Sequence, residues 1–244
     1  RTRIELLVGL ISMRSIFAPV CLAALRDHIE IVTKCNMLRG AGRYARTRVK
    51  HYDTSAAPIA ALIDHSLRLR AIKKLTFYWW TGQINDVSSL EGAALDFVVA
   101  SGKVASVGVS NFKRDDWTLL QSIMKTPLAT NQIEMSVVEN SAFTNGDLVF
   151  LQEFGVPPRF FPLAGGALFR GESPKLLILF QMIGARDVAA AAVARLLAHP
   201  ARIMPVLGTN NLSCIAKLDA VCAITFDRER WFEVFEAANG CEVP

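Results

Sequence analysis

Short apolar, β-branched runs alternate along the chain with stretches whose apolar residues recur every third or fourth position. That rhythm is the βαβα pattern of a parallel sheet covered by helices. The strand candidates are Ile4–Val8, Ile29–Cys35, Leu75–Trp80, Val104–Val109, Leu128–Glu134, Pro158–Phe161 and Ile203–Leu207. Between them the spacing predicts a helix from Ser12 to about Leu25 and one after Asp53 or Ser55 with apolar Ile59, Leu62, Ile63 and Leu67. Further helices are expected over Leu90–Ala100, through Trp117, Leu119, Leu120 and Ile123, and over Leu148–Phe154, Pro174–Ile183, Asp187–His199, Leu212–Ala223 and Asp227–Asn239.

The stretch Ser101–Phe112, SGKVASVGVSNF, is the most informative. Gly102 stops a helix, because glycine takes positive φ without a Cβ clash. Val104–Val109 has the length and composition of a buried strand. Ser110 and Asn111 close it at the carboxyl end, where parallel α/β folds keep their ligand-binding groups. Asn111 also has the chemistry of a helix N-cap, and the two roles are compatible. The seven strands counted suit a (β/α)8 barrel one unit short better than an open doubly wound sheet. No G-x-G-x-x-G follows any strand, which argues against a Rossmann dinucleotide site.

Composition narrows the function classes. With 244 residues and a 52% hydrophobic fraction the chain can build a sizeable core, and without a linker or charge block it reads as a single domain over 1–244. No uncharged apolar run reaches the ~18 residues of a membrane span. The apolar start is interrupted by Arg14 and lacks a small-x-small cleavage site, so a signal peptide is not expected. Five scattered cysteines without C-x-x-C spacing suit a reducing compartment, hence a cytoplasmic location, and give no metal site. The net charge of +5 gathers in Arg39–Lys50. Tyr44 is the single aromatic residue among these arginines and makes no repeated stacking platform, so a solvated loop is favoured over nucleic-acid binding.

Six segments together resemble the aldo-keto reductases, most closely their bacterial YdhF-like group: EIVTKC (Glu30–Cys35), VKHYDTS (Val49–Ser55), SGKVASVGVSNF (Ser101–Phe112), ATNQIE (Ala129–Glu134), PLAGGALF (Pro162–Phe169) and HPARIMPVLGTNNL (His199–Leu212). The resemblance implies a (β/α)8 TIM barrel that binds NADPH across the carboxyl ends of its strands and reduces aldehydes and ketones by hydride transfer. It implies a nicotinamide carboxamide held by Ser110, Asn111 and Gln132, with Phe160 stacked on the ring. Pro162 and Leu163 fall in the family's S-P-L segment, where Phe161 replaces the serine. Gly208 and Thr209 fall near the 2′-phosphate, and the arginine expected there falls on Cys214.

The catalytic tetrad implied by the resemblance is incomplete. Lys34 sits where the family's lysine belongs, but the Asp and Tyr of D-I-Y-G fall on Leu6 and Val8. The histidine ending the fourth strand falls on Thr81, beside Trp80. In the family the tyrosine is the general acid, its pKa lowered by the lysine, which the aspartate holds. Loss of three of these groups leaves weak or absent turnover, a non-catalytic nicotinamide-nucleotide-binding module, or a truncated and drifted chain as the open readings. Tyr52 is a candidate substitute acid on the loop after the third strand. The family also begins earlier, so the barrel's first strand and helix are expected to be missing. That would leave the Ile4–Val8 and Ile203–Leu207 strands facing a gap with unpaired edges, with self-association open.

Overall fold

The structure, a computed structural model, describes residues 5–6, 32–35, 37–38, 48, 51–52, 56–69, 74–81, 89–160, 174–185, 187–207 and 216–243. In chain order the elements are β1 (Glu5–Leu6), β2 (Val32–Cys35), β3 (Met37–Leu38), β4 (His51–Tyr52), α1 (Ala56–Leu69), β5 (Leu75–Thr81), α2 (Ser89–Ala100), β6 (Val104–Ser110), α3 (Arg114–Ile123) and β7 (Asn131–Gln132). They continue with α4 (Asp147–Glu153), β8 (Arg159–Phe160), α5 (Pro174–Met182), α6 (Val188–Leu197), β9 (Met204–Leu207) and α7 (Arg228–Asn239), with short 3-10 turns at Ser141–Phe143 and Lys217–Ala223. They group into two compact units, one of residues 10–132 and one of 1–9 with 133–244.

In the unit of residues 10–132, β2, β5, β6 and β7 run parallel, each hydrogen-bonded to the next. The helices cover the sheet with the apolar stripes their spacing predicted: Ile59 and Ile63 of α1, Leu95 and Val98 of α2, Trp117 and Leu120 of α3 are all buried. Leu119 departs from expectation and stands exposed, because the buried stripe of α3 runs from Trp117 through Leu120 to Met124. Gly102 ends α2 at φ +74°, with its N–H donating to Val99 O at 3.0 Å, as its position after a helical run required. The basic loop Arg39–Lys50 is closed at its base by the antiparallel pair β3–β4, which the sequence did not announce; Arg48 is exposed and the rest of the loop lies outside the described residues.

Strand β7 is shorter than the predicted Leu128–Glu134. Pairing with β6 covers only Val109↔Asn131 and Ser110↔Gln132, because β6 turns away at the next residue. The approach to β7 is pinned by side chains: Asp96 accepts the N–H groups of Lys125 and Thr126, each at 2.8 Å, and Gln121 Oε1 accepts that of Leu128 at 2.8 Å.

In the other unit β1, β9 and β8 are parallel neighbours. The two strands expected to face each other across a gap are paired instead: Glu5 and Leu6 lie in register with Val206 and Leu207. Helix α6 is alanine-rich and almost wholly buried, with Asp187 as its N-cap accepting from Ala189 and Ala190. The predicted helix Leu212–Ala223 is described from Ala216 onward and is wound as a 3-10 turn over Lys217–Ala223. Leu218, Val221 and Ile224 recur at the three-residue period of that winding.

One buried charge interrupts this apolar unit. Arg195 of α6 is fully buried, with its guanidinium 4.2 Å from the Trp231 ring centroid and Nη1 donating to Asn140 Oδ1 at 3.3 Å. Its Nε and Nη2 meet no acceptor among the described residues, and burial pushes its pKa down to about 9. His199, one helical turn on, packs against Phe143 and Trp231, and its Nδ1 accepts the Ala201 N–H at 3.2 Å. Burial first, then the nearby Arg195 charge, lowers the His199 pKa below its ordinary value. A histidine depressed in the folded state binds its proton better when unfolded. Its contribution to stability is therefore complete above the unfolded value of about 6.5 and is lost as pH falls below it. The urea midpoint should accordingly fall between pH 7.5 and pH 5.5, and His199→Gln should flatten part of that slope; an equal slope in the variant would remove His199 as the cause.

Candidate functional site

The candidate site lies at the carboxyl ends of β5, β6 and β7. Parallel pairing sets Thr81 opposite Ser110, and Ser110 opposite Gln132, so the three occupy one row across the strand ends. Two residues back along β6, Gly108 pairs with Trp79, which in turn pairs with Lys34 of β2. The predicted catalytic lysine position thus lies two rows below the Ser110 row, on the same alternation of the pleat. Glycine at 108 is a packing requirement: an added Cβ would sit 2.7 Å from Thr130 Cγ2 and 2.8 Å from Thr130 O. The absence of a side chain at 108 is what allows β7 to come in close enough to align Gln132 with Ser110.

Ser110 and Gln132 are buried, and the Ser110 hydroxyl donates to Gln132 O at 3.3 Å. Asn111 then breaks the strand: its φ is +62°, a left-handed conformation that asparagine adopts more readily than most residues. The Asn111 N–H still donates to Gln132 O at 2.8 Å, so the turn is tied to β7 as it forms. Its side chain is exposed at the strand end. The N-cap role expected for Asn111 falls elsewhere. Lys113 occupies that position, and the Lys113 N–H donates to Asp116 Oδ2 at 3.1 Å, so the Asn111 carboxamide does not cap α3.

Asn131 was not anticipated. Its buried carboxamide takes both polar groups of the Phe112 backbone: Phe112 N–H donates to Oδ1 at 3.4 Å, and Nδ2 donates to Phe112 O at 2.8 Å. The available signal was an asparagine inside an apolar strand pattern, a residue depleted in strands unless its amide has a dedicated partner.

The remaining predicted positions are placed less fully. Lys34, Thr81, Leu6 and Phe160 are described as strand positions, on β2, β5, β1 and β8. Val8, Phe161, Pro162, Leu163, Gly208, Thr209 and Cys214 lie outside the described residues. Tyr52 lies on β4, opposite Met37. Among the described residues no three His, Cys, Asp or Glu side chains cluster as metal ligands, and no helix is long and apolar enough to cross a membrane.

A parallel α/β chain that gathers a hydroxyl and carboxamides at its strand ends belongs to the class that binds small organic ligands there. The sequence profile of the aldo/keto reductase family matches residues 15–239. The chain belongs to that family, and its fold class is the family's (β/α)8 TIM barrel. A "6-dehydroglucose reductase" of Agrobacterium fabrum is 47% identical over 224 residues, covering 90% of this chain and 75% of its own. The "Oxidoreductase YdhF" of Escherichia coli is 29% identical over 227 residues, covering 90% of this chain and 76% of its own. Among solved structures, an aldo/keto reductase from Klebsiella pneumoniae in complex with NADP and acetate has a TM-score of 0.69 at 20% identity, covering 87% of this chain and 71% of its own.

Proposed function

We propose that this chain binds NADPH by its nicotinamide end at Ser110, Asn111 and Gln132, and that its carbonyl reduction is weak because the groups that move protons have been replaced. The observation that carries the first half is the row of Ser110 and Gln132 in register, closed by a left-handed Asn111 whose carboxamide is exposed. The donor set fits a neutral amide: hydroxyls and carboxamides both donate and accept, and none of the three carries charge. Ser110 spends its one proton on Gln132 O and keeps lone pairs to accept a ligand N–H. The resemblance to the family adds Phe160, Pro162, Leu163, Gly208 and Thr209 as its further nucleotide-binding positions.

When bound, NADPH supplies the hydride. The chain's own part is to fix which face of the ring is presented, since hydride transfer needs donor and acceptor carbons nearly in contact. The second half of the reading rests on Thr81, which ends β5 beside Ser110 where the family has histidine, and on Leu6 and Val8 in place of aspartate and tyrosine. Lys34 is then a remnant without its partners. Threonine, leucine and valine supply no acid with a pKa near neutrality.

Small aldehydes and ketones are the substrate class, and 6-dehydroglucose is the first sugar carbonyl to try, given the Agrobacterium relative. A non-catalytic nicotinamide-nucleotide-binding module is the second reading, favoured by the same replacements. Quenching or enhancement of NADPH fluorescence on titration with the chain tests binding, and NADPH consumption with nitrobenzaldehyde, methylglyoxal or 6-dehydroglucose separates the two readings.

A further inference from the structure

The proposed nicotinamide site holds Asn111 in a conformation that costs free energy for any residue other than glycine. Something has to hold it there. The hydrogen bond from Asn111 N–H to Gln132 O secures the near side of the turn. On the far side the next peptide, at Phe112, has left the β6–β7 ladder and points its N–H and C=O into a buried environment. Both groups are met by one side chain, the Asn131 carboxamide, at 3.4 and 2.8 Å. That carboxamide acts as a spare peptide unit, extending the ladder by one step after the backbone of β7 has run out.

Adjacent strand residues project to opposite faces. Gln132 therefore shares a face with Ser110, while Asn131 reaches the opposite one, where Phe112 packs with 2% exposure. Asn131 thus does not belong to the ligand-facing set. It determines instead whether Asn111 does.

We infer that Asn131 is a positioning residue for the nicotinamide end of the cofactor, acting through Phe112 to keep Asn111 in its left-handed conformation. The inference rests on the reading of Ser110, Asn111 and Gln132 as the nicotinamide site. It has a consequence that simple loss of packing would not have. Releasing Phe112 lets residue 111 relax, which damages recognition of the nicotinamide and leaves the adenosine end of the nucleotide untouched. A leucine at 131 keeps the volume and offers neither bond. An aspartate keeps an acceptor for the Phe112 N–H and turns the donor facing Phe112 O into a repelling oxygen.

The experiment compares dissociation constants for NADPH and for phospho-ADP-ribose, which is the nucleotide without its nicotinamide, in wild type, Asn131→Leu and Asn131→Asp. Binding is read by fluorescence for NADPH and by calorimetry for both. In Asn131→Leu the NADPH constant should rise about tenfold, the scale set by one or two lost buried hydrogen bonds, while the phospho-ADP-ribose constant moves less than about twofold. Asn131→Asp should fall between, and it supplies the answer should the leucine variant not fold. Equal weakening of both ligands in either variant would overturn the inference and leave Asn131 a purely structural residue. A wild type that binds NADPH no more tightly than phospho-ADP-ribose would overturn the nicotinamide reading itself, and the positioning role with it.

Discussion

Installing Leu6→Asp, Val8→Tyr and Thr81→His together should raise NADPH-dependent reduction of nitrobenzaldehyde or methylglyoxal by about a hundredfold or more, the lower end of what a positioned general acid contributes. The carbonyl oxygen gains negative charge as hydride arrives, and that charge needs a proton. On the proposed reading valine at 8 stands where the family has its tyrosine, so Lys34 would have no phenol whose pKa it could lower. On the same reading leucine at 6 stands where the family has the aspartate that would hold that lysine. Restoring one group at a time should give little, because the three act as a unit with Lys34 and their effects are not additive. Adding Lys34→Met to the triple variant should therefore remove most of the gain. A wild type already as fast as the triple variant would mean that another acid, Tyr52 first among them, has taken over.

Gly108→Ala should lower the free energy of unfolding by about 1–3 kcal/mol or more, the usual scale for forcing a group into a filled space. The added methyl meets the Thr130 carbonyl oxygen at 2.8 Å, and a backbone atom in a parallel ladder cannot step aside as a flexible side chain would. Relief requires β7 to move off β6, which pulls Gln132 out of line with Ser110 and loosens the hydrogen bond from Asn111 N–H to Gln132 O. Stability and NADPH binding should fall together in this variant. Serine should be at least as damaging as alanine, since its hydroxyl adds volume at the same Cβ. A urea midpoint within experimental error of wild type would show that the strands can separate there without cost.

Much of this was legible in the sequence, for reasons that differ from residue to residue. The β6 strand and its stop signals stood out because Val104, Val107 and Val109 are buried β-branched residues in a short run bounded by Gly102 and Asn111. Ser110 and Gln132 were found through a family motif, and their pairing in one row is a matter of register that spacing alone does not give. Asn111 was only half read: its left-handed backbone explains why asparagine suits the position, while capping of α3 passed to Lys113 and Asp116.

Asn131 was missed because its role is a side chain completing a backbone ladder across a turn, a contact between residues nineteen apart in the chain. The β3–β4 pair was missed because a two-residue antiparallel match leaves almost no periodicity to detect. Arg195 was passed over inside an alanine-rich helix, where a charged residue reads as the solvent-facing side until Trp231 and Phe143 are seen to close over it. The gap expected between the Ile4–Val8 and Ile203–Leu207 strands was an inference from where the family begins, and Glu5–Leu6 pairs directly with Val206–Leu207.

The claim at the centre of the account is that the part of the protein that holds the cofactor is retained where the part that moves protons is not. The most direct measurement is a fluorescence titration of NADPH with the wild-type chain, run beside Gln132→Leu. The account predicts saturable binding with half-saturation between about 1 μM and 1 mM, the ordinary range for enzyme ligands, and clear weakening in the variant. A wild-type chain that leaves NADPH fluorescence unchanged up to millimolar concentration, while melting cooperatively as a folded protein, would contradict it.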